Sequence, residues 1–403
     1  MAITINNPLL LAMALLVSSL VIFQAGYLFR GFDSVLEVTS SKTEFKEVPH
    51  VQIEKSNEIK EAEFLRDDYL PPGFPKKPLD VKELAMCDPG GRINTLRDVW
   101  VCPSDPSCLK CSSLTVNMFT RLVKAFRFGD MVAQRVNYFK NRFGNRKTVI
   151  VISVNYGQLF LLLNWLCSLS LLGLDINDFG LIVPTDVESS ALLDRIGIKH
   201  LSTDWTRNYQ IEKRYTGIAT GIQHVQINNV VLLTANELLD AGYNVVLHDV
   251  DIVWKVNVLE YLEQTGVYFD IVGMFAPFVG AKYPLNTGLI YLRNTARTKV
   301  FMKSTENAAA VKFISDQELF NMVLRSLHFE QVRRQVLPES RFYKYNGRRS
   351  QPPSNDMYLY HAVGAHKMGS MKFHHQWLFN ISCPYYDKDV DDYSAKNTRN
   401  NHS

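Results

Sequence analysis

Thr148 to Val154 reads TVIVISV, a run of mostly β-branched residues with no alternation of apolar and polar positions. A strand of that pattern is buried on both faces, as in a parallel sheet covered by helices. Leu159 to Leu172 follows with the length and apolarity of a helix, and Phe179 to Val183 is a second apolar strand. Glu188 to Ile196 is an amphipathic helix, and Lys199 to Leu201 a short third strand. Val225 to Ala241 is a long helix closed by Gly242, and Tyr243 to Leu247 a strand running into His248-Asp249-Val250-Asp251. Strands alternating with helices predict βαβ units, so the expected class is α/β, with a mostly parallel sheet and helices on both faces. Ligands of such sheets bind beyond the carboxyl ends of the strands, where Asp249 and Asp251 fall. The chain has no internal repeat, no G-x-G-x-x-G and no Walker motif, which argues against a Rossmann dehydrogenase or a P-loop enzyme.

The N-terminal pattern is different. From Pro8 to Phe29 every residue is apolar, small or uncharged, and no charged side chain precedes Arg30. At ~1.5 Å per residue that helix spans a ~30 Å hydrocarbon core. It lacks the basic start and A-x-A site of a cleaved signal, so residues 1–30 are expected to be an uncleaved membrane anchor, a cleaved signal being the alternative. A Lys- and Glu-rich stretch without periodicity follows, ending in Pro71-Pro72-Gly73-Phe74-Pro75, and residues 31–85 are expected to be a stem. Cys87, Cys102, Cys108 and Cys111 mark an extension over 86–145. They fit two disulfides with three possible connectivities, or a zinc site built on Cys108-x-x-Cys111. Cys167, inside the apolar helix, is expected to be a buried free thiol. The main domain is expected over 146–385 and a polar tail over 386–403. Asn380-Ile-Ser is a glycosylation sequon, as is Asn401-His-Ser at the terminus. Arg30 gives no firm orientation by the positive-inside rule. The cysteines and the sequon place the bulk of the chain in the lumen of the secretory pathway.

Composition narrows the class. The 403 residues are 46% hydrophobic and 21% charged, which excludes a disordered chain, a collagen-like repeat and a multi-pass membrane protein. Lys and Arg number 44 against 40 Asp and Glu, too small and dispersed an excess for nucleic-acid binding.

Four motifs carry candidate chemistry. Asp249 and Asp251, two residues apart at a strand end, point to the same side and can share a hard divalent cation, Mn²⁺ or Mg²⁺; the plainer reading is a solvated turn. Asn286-Thr287-Gly288 before the strand Leu289 to Leu292 is either a turn or an amide that bonds sugar hydroxyls, with Gly288 allowing close approach. Ser315 and Glu318 have capping-box spacing, which puts Asp316 and Gln317 in a first helical turn where an acid is favoured by the dipole. After the strand-like Met357 to Tyr360, His361 is a candidate third metal ligand and Lys367 a partner for an anion, with Gly364 between them. His366, His374 and His375 carry no role.

In this order the motifs resemble glycosyltransferase family 77 and its relative family 8, nucleotide-diphospho-sugar transferases of GT-A fold. The likeness covers roughly Lys147 to Lys367. It rests on LDAGYNVVLHDVDIVW (239–254), NTGLIYLR (286–293), Asp316-Gln317 with Asn321, His361-x-x-Gly364-x-x-Lys367, and Asn164-Trp165. The resemblance implies that Asp249, Asp251 and His361 hold Mn²⁺ against the diphosphate of a UDP-sugar and that Lys367 pairs with phosphate. It further implies that Gly288 and Gly364 lie against the donor, and that Asn286, Asp316 and Gln317 line the sugar and acceptor pocket. Val154, Asn155 and Tyr156 would meet the base and ribose. Transfer of a galactose, xylose or arabinose type of sugar, with retention, to a glycan or glycoprotein in the Golgi follows by the same resemblance, as does a single-pass type II topology. Two departures stand out. The helix before Asp249 carries Asn228-Asn229 where the family often has a basic residue, and His248 stands where a small or polar residue is usual. A silent nucleotide-sugar-binding ectodomain is the alternative function; a phosphohydrolase would need more metal ligands than this region offers.

Overall fold

Val149 and Val151 point to one hydrophobic core while Ile150, Ile152 and Val154 point to another, because successive side chains of a strand face opposite sides. Thr148–Val154 is thus a central strand, β1, buried along its whole length. In the structure, a computed structural model, residues 66–79, 118–211, 222–276, 285–310, 315–345, 353–363 and 367–392 are described. The chain runs α1 (Met131–Phe143), β1, α2 (Leu159–Leu171), β2 (Gly180–Pro184), α3 (Val187–Arg195), α4 (Ile222–Asp240), β3 (Asn244–His248) and β4 (Ile252–Trp254). It continues with α5 (Val258–Gly266), β5 (Ile271–Phe275), β6 (Leu285–Leu292), α6 (Ala296–Ala309) and α7 (Asp316–Leu324). β7 (Arg334–Val336), β8 (Phe342–Tyr345), β9 (Leu359–Ala362) and α8 (Lys367–Phe373) complete it.

The main sheet has the order β2-β1-β3-β6-β5-β7. Only β6 runs against the other five strands, so the sheet is mostly parallel, as expected. A second sheet, β4-β9-β8, pairs Ile252 with His361. Helices α4, α6 and α7 cover one face through Ile227, Leu233, Phe301 and Phe320. Helices α2 and α5 and the second sheet cover the other through Trp165, Leu262, Trp254 and Tyr360. Each such apolar side chain contributes about 1.5–3 kcal/mol relative to exposure.

Several sequence expectations are amended. Lys199 to Leu201 forms only a single bridge, Ile182 to His200, rather than a strand. Asn286-Thr287-Gly288 lies inside β6, not at its entry. Cys167 is no free thiol: it is bonded to Cys383, 216 residues away, which ties α2 to the segment after α8. Residues 66–79, within the stretch expected to be a stem, pack on the body. Phe74 is buried against Phe329, Leu79 N–H donates to Ser304 Oγ, and Arg297 donates to the Tyr69 carbonyl. Helix α1 precedes the expected domain start yet buries Arg135 against Glu237 of α4, and Val390 of the expected tail is buried. The expected anchor, Cys87, Cys102, Cys108, Cys111 and Gly364 lie outside the described residues. Among the described residues no helix is long and apolar enough to cross a membrane.

Candidate active site

β3 ends at His248, and the chain turns through Asp249-Val250-Asp251 into β4. Asp249 N–H donates to the Gly288 carbonyl at 2.8 Å, and Ala362 N–H to the Asp251 carbonyl at 3.0 Å. The carboxylate pair is thereby fixed between β6 and β9. Asp249, Asp251 and His361 each offer a ligand atom, all within 4.8 Å of one another. His361 Nε2 lies 3.2 Å from Asp251 Oδ1 and 3.5 Å from Asp249 Oδ2. Lys367 Nζ, at the start of α8, lies 2.8 Å from Asp251 Oδ2. Asp251 and His361 are buried, while the Asp249 side chain is 46% exposed and opens the cluster to solvent.

Gly288 makes this cluster possible. A Cβ there would lie 2.3 Å from His361 Cε1 and 2.8 Å from both Asn286 Oδ1 and Asp249 Oδ2, so no larger residue fits without moving them. The pairing of β5 with β6 shifts register between Gly273 and Met274, from Ile290 to Asn286. The irregularity frees Thr287 and Gly288 from that ladder and aims β6 at the site, as bulges beside active sites do. Asn286 Nδ2 donates to Gln317 Oε1 at 2.6 Å, and Asn228 Nδ2 to Asp316 Oδ1 at 2.7 Å. Ser315 caps α7 by accepting from Glu318 N–H, which sets Asp316 and Gln317 in the first turn.

Burial alone would push the His361 imidazole down, but Asp251 and Asp249 outweigh it and hold it up to about 9. Burial likewise opposes ionisation of Asp251 and Lys367, and is likewise overcome: Asp251 is lowered by Lys367 and His361, and Lys367 is raised by Asp251 and Asp249. Asp316 is raised by burial, with Asp249 adding to it. His248 is pushed down to about 3, chiefly by burial. It is a neutral ring whose Nε2 accepts from Trp254 Nε1 at 3.0 Å and which sits 4.4 Å from the Trp165 ring. An imidazole is thus accommodated before the carboxylate pair as packing for two tryptophans.

The donor set of two carboxylates and an imidazole suits a hard or borderline divalent cation. Asp251 Oδ1 is buried, and among the described residues no donor meets it with hydrogen-bond geometry. An oxygen left with a free lone pair can take a ligand, and these residues fit a cation.

A cavity beside the cluster is lined by Ser153, Gln158, His224, Asn228, Thr287 and Asp316, together with Asp249, Asp251 and Lys367. The structure therefore gathers Asp249, Asp251, His361, Lys367, Gly288, Asn286, Asp316 and Gln317. It does not bring Val154, Asn155 and Tyr156 into the lining. Val154 belongs to the opposite core, Asn155 is fully buried, and Tyr156 N–H is bonded to Asp186 Oδ2. Ser153 and Gln158 flank the cavity from that end of β1 instead. Sequence reasoning missed His224 and named Asn228 only as a departure from the family pattern; their four-residue spacing on α4 was the available signal.

An α/β protein with a carboxylate pair and an imidazole gathered at the strand ends, beside a cavity, is what these elements define. Residues 180–375 match the family model of the nucleotide-diphospho-sugar transferases. The match takes in just under half of the chain, and over it the protein resembles that family; it is a glycosyltransferase. Comparison with curated proteins returned no match. Among solved structures the chain is similar to the galactosyltransferase LgtC in complex with donor and acceptor sugar analogs (11% identity, TM-score 0.37, 61% of this chain and 94% of that one). It is also similar to the apo form of mouse xyloside xylosyltransferase 1 (9%, 0.36, 54% and 97%). A third is S. aureus TarS 1–349 in complex with UDP-GlcNAc (14%, 0.31, 55% and 60%).

Proposed function

We propose that this protein is a metal-dependent transferase of GT-A type that moves a galactose, xylose or arabinose type of sugar from a UDP-sugar to a hydroxyl of a glycan or glycoprotein. The observation that carries the reading is the convergence of Asp249, Asp251, His361 and Lys367 beside a cavity whose apolar walls carry Ser153, Gln158, Asn228 and Asp316. Asp249, Asp251 and His361 would hold Mn²⁺ or Mg²⁺. Bound there, such a cation supplies charge stabilisation to a departing diphosphate without proton transfer. Lys367 places an ammonium at the same point. Asn286 and Gln317, already bonded to each other, offer amide groups to sugar hydroxyls, and Asp316 sets a carboxylate toward the sugar. The route we favour is front-face attack by the acceptor hydroxyl with retention, Asp316 or Gln317 positioning the sugar. The compartment that fits a bond between Cys167 and Cys383 is oxidising. With the apolar segment before Arg30, it supports a type II protein of the Golgi membrane.

UDP release from a panel of UDP-sugars, with Mn²⁺ or EDTA, tests the reading. Metal-dependent release from one sugar, with a retained anomeric configuration in the product by NMR, is expected. UDP binding that is indifferent to metal, or binding without release from any donor when acceptor glycans are supplied, would reject it.

A further inference from the structure

His224 and Asn228 lie one turn apart on the same face of α4. Asn228 Nδ2 is 2.7 Å from Asp316 Oδ1 and 3.0 Å from His224 Nε2. A carboxylate only accepts, so the amide must turn its NH₂ toward Asp316. That group has two hydrogens. With one spent on Asp316, the other points at His224, whose Nε2 must then accept and whose ring proton sits on Nδ1. The amide is held from behind by an imidazole and in turn holds the carboxylate. A lysine or arginine at this place would carry a charge that neutralises Asp316; an amide orients it and adds none.

We propose that Asn228, braced by His224, is a positioning residue that fixes the Asp316 carboxylate toward the sugar while leaving its negative charge intact for the positive charge that develops there during transfer. The inference rests on the glycosyl-transfer reading above. A hydrogen bond to a charged group is worth about tenfold to a hundredfold in an equilibrium or rate. In the full-length protein with Mn²⁺, N228A should lower kcat for UDP release by about tenfold or more, with donor KM and UDP affinity nearly unchanged. N228K should lower kcat further, by neutralising Asp316. H224A should follow N228A, whereas H224Q, whose amide oxygen accepts, should stay near wild type. In a D316N background N228A should cost nothing more, the signature of a residue acting through another. An unchanged kcat in N228A, an equal cost in the D316N background, or a loss confined to UDP affinity overturns the proposal. Should D316N release no UDP at all, the contrast between H224A and H224Q decides. Wild-type protein that releases no UDP refutes the transferase reading itself, a separate outcome.

A second inference stands on the sequon. Asn380, Ile381 and Ser382 are exposed, Ile381 to 87%, in a turn where Ser382 N–H and O–H both donate to Asn380 Oδ1. Cys383, bonded to Cys167, follows at once. We infer that Asn380 carries an N-linked glycan that shields Ile381. Its Nδ2 would bond to C1 of a lipid-diphosphate-linked oligosaccharide as the C1–O bond to diphosphate breaks, the amide losing one proton and the lipid diphosphate leaving. In full-length protein made through a secretory pathway, an N-glycan-removing amidase should shift its mobility, in wild type and N401Q but not in N380Q. An unmodified Asn380 in protein whose Cys167–Cys383 bond has formed overturns this inference. Absence of both bond and glycan refutes the luminal placement instead.

Discussion

Two groups of buried charges in this molecule look alike in the sequence and differ in how they are satisfied. Behind the sheet, Asp270 accepts from Arg297 Nη2 and Thr295 on Oδ1, and from Arg297 Nε and Arg333 N–H on Oδ2. Glu306 is met in the same way by Arg127, Lys303 and Asn236. At the strand ends, Asp251 has Lys367 on one oxygen and, among the described residues, no hydrogen bond on the other, and two carboxylates share one imidazole. Completed pairs hold elements together; an incomplete cluster is poised for a ligand. The distinction separates buried carboxylates that serve the fold from those that serve chemistry, and it is open to test by mutation.

The largest effect should come from D251N. Losing one ligand should reduce metal-dependent UDP release by about a thousandfold, or about 4 kcal/mol. Thermal denaturation should change little, because Lys367 keeps Asp249 as a neighbour. R297A should do the reverse: leaving Asp270 buried and unpaired costs about 3–5 kcal/mol of stability in urea denaturation, with kcat of the folded fraction unchanged. A D251N protein that fails to fold, or an R297A protein as stable as wild type, would break the comparison.

Local pattern carried what local pattern can carry. The β-branched run at Thr148, the Asp-x-Asp at the end of β3 and the cap at Ser315 are each set by neighbours in the chain, and they lie where the periodicity puts them. The partners of those residues are set by the fold. Asn228 meets Asp316 across 88 residues, and Cys167 meets Cys383 across 216, so neither pairing leaves a trace in spacing. Phe74 sits in a Pro-rich stretch without period, yet it packs on Phe329 while Leu79 and Tyr69 bond to Ser304 and Arg297, contacts that no local pattern announces. Val154 to Tyr156 present a different case. A strand end was legible, but which of its residues turns to the cavity depends on the packing of α4, where Ser153 Oγ donates to the Ile227 carbonyl.

The Cys167–Cys383 bond tests whether the C-terminal segment belongs with the fold or with the site. Asn164, one turn before Cys167, accepts from Leu378 and Phe379 N–H and donates to the Gln376 carbonyl. The bond therefore closes a segment already clamped to α2 just after α8, the helix that begins at Lys367. Replacing both cysteines by serine should lower stability by about 2–4 kcal/mol. Because the clamp at Asn164 survives, UDP affinity should hold. A collapse of UDP affinity with unchanged stability would reassign the bond to the site.

The finest test sets Glu306 against Asp316. Burial pushes Glu306 up, but Arg127 and Lys303 outweigh it, so its folded carboxyl lies below its unfolded value. Such a group stabilises the fold above the unfolded value of 4.5, and the contribution is lost as pH falls through the folded one. Asp316 is shifted the other way, by burial and by Asp249, so its ionisation is a cost that the folded state bears above its folded value and sheds on acidification. At neutral pH, E306Q should therefore destabilise by about 1–2 kcal/mol and flatten the acid limb of the stability curve. D316N should stabilise by about 0.5–2 kcal/mol while slowing transfer, the trade expected where a carboxylate is kept for chemistry at the expense of the fold. Equal signs for the two variants in urea denaturation at pH 7 would erase the difference between the two regions, since both carboxylates would then be serving the fold alone.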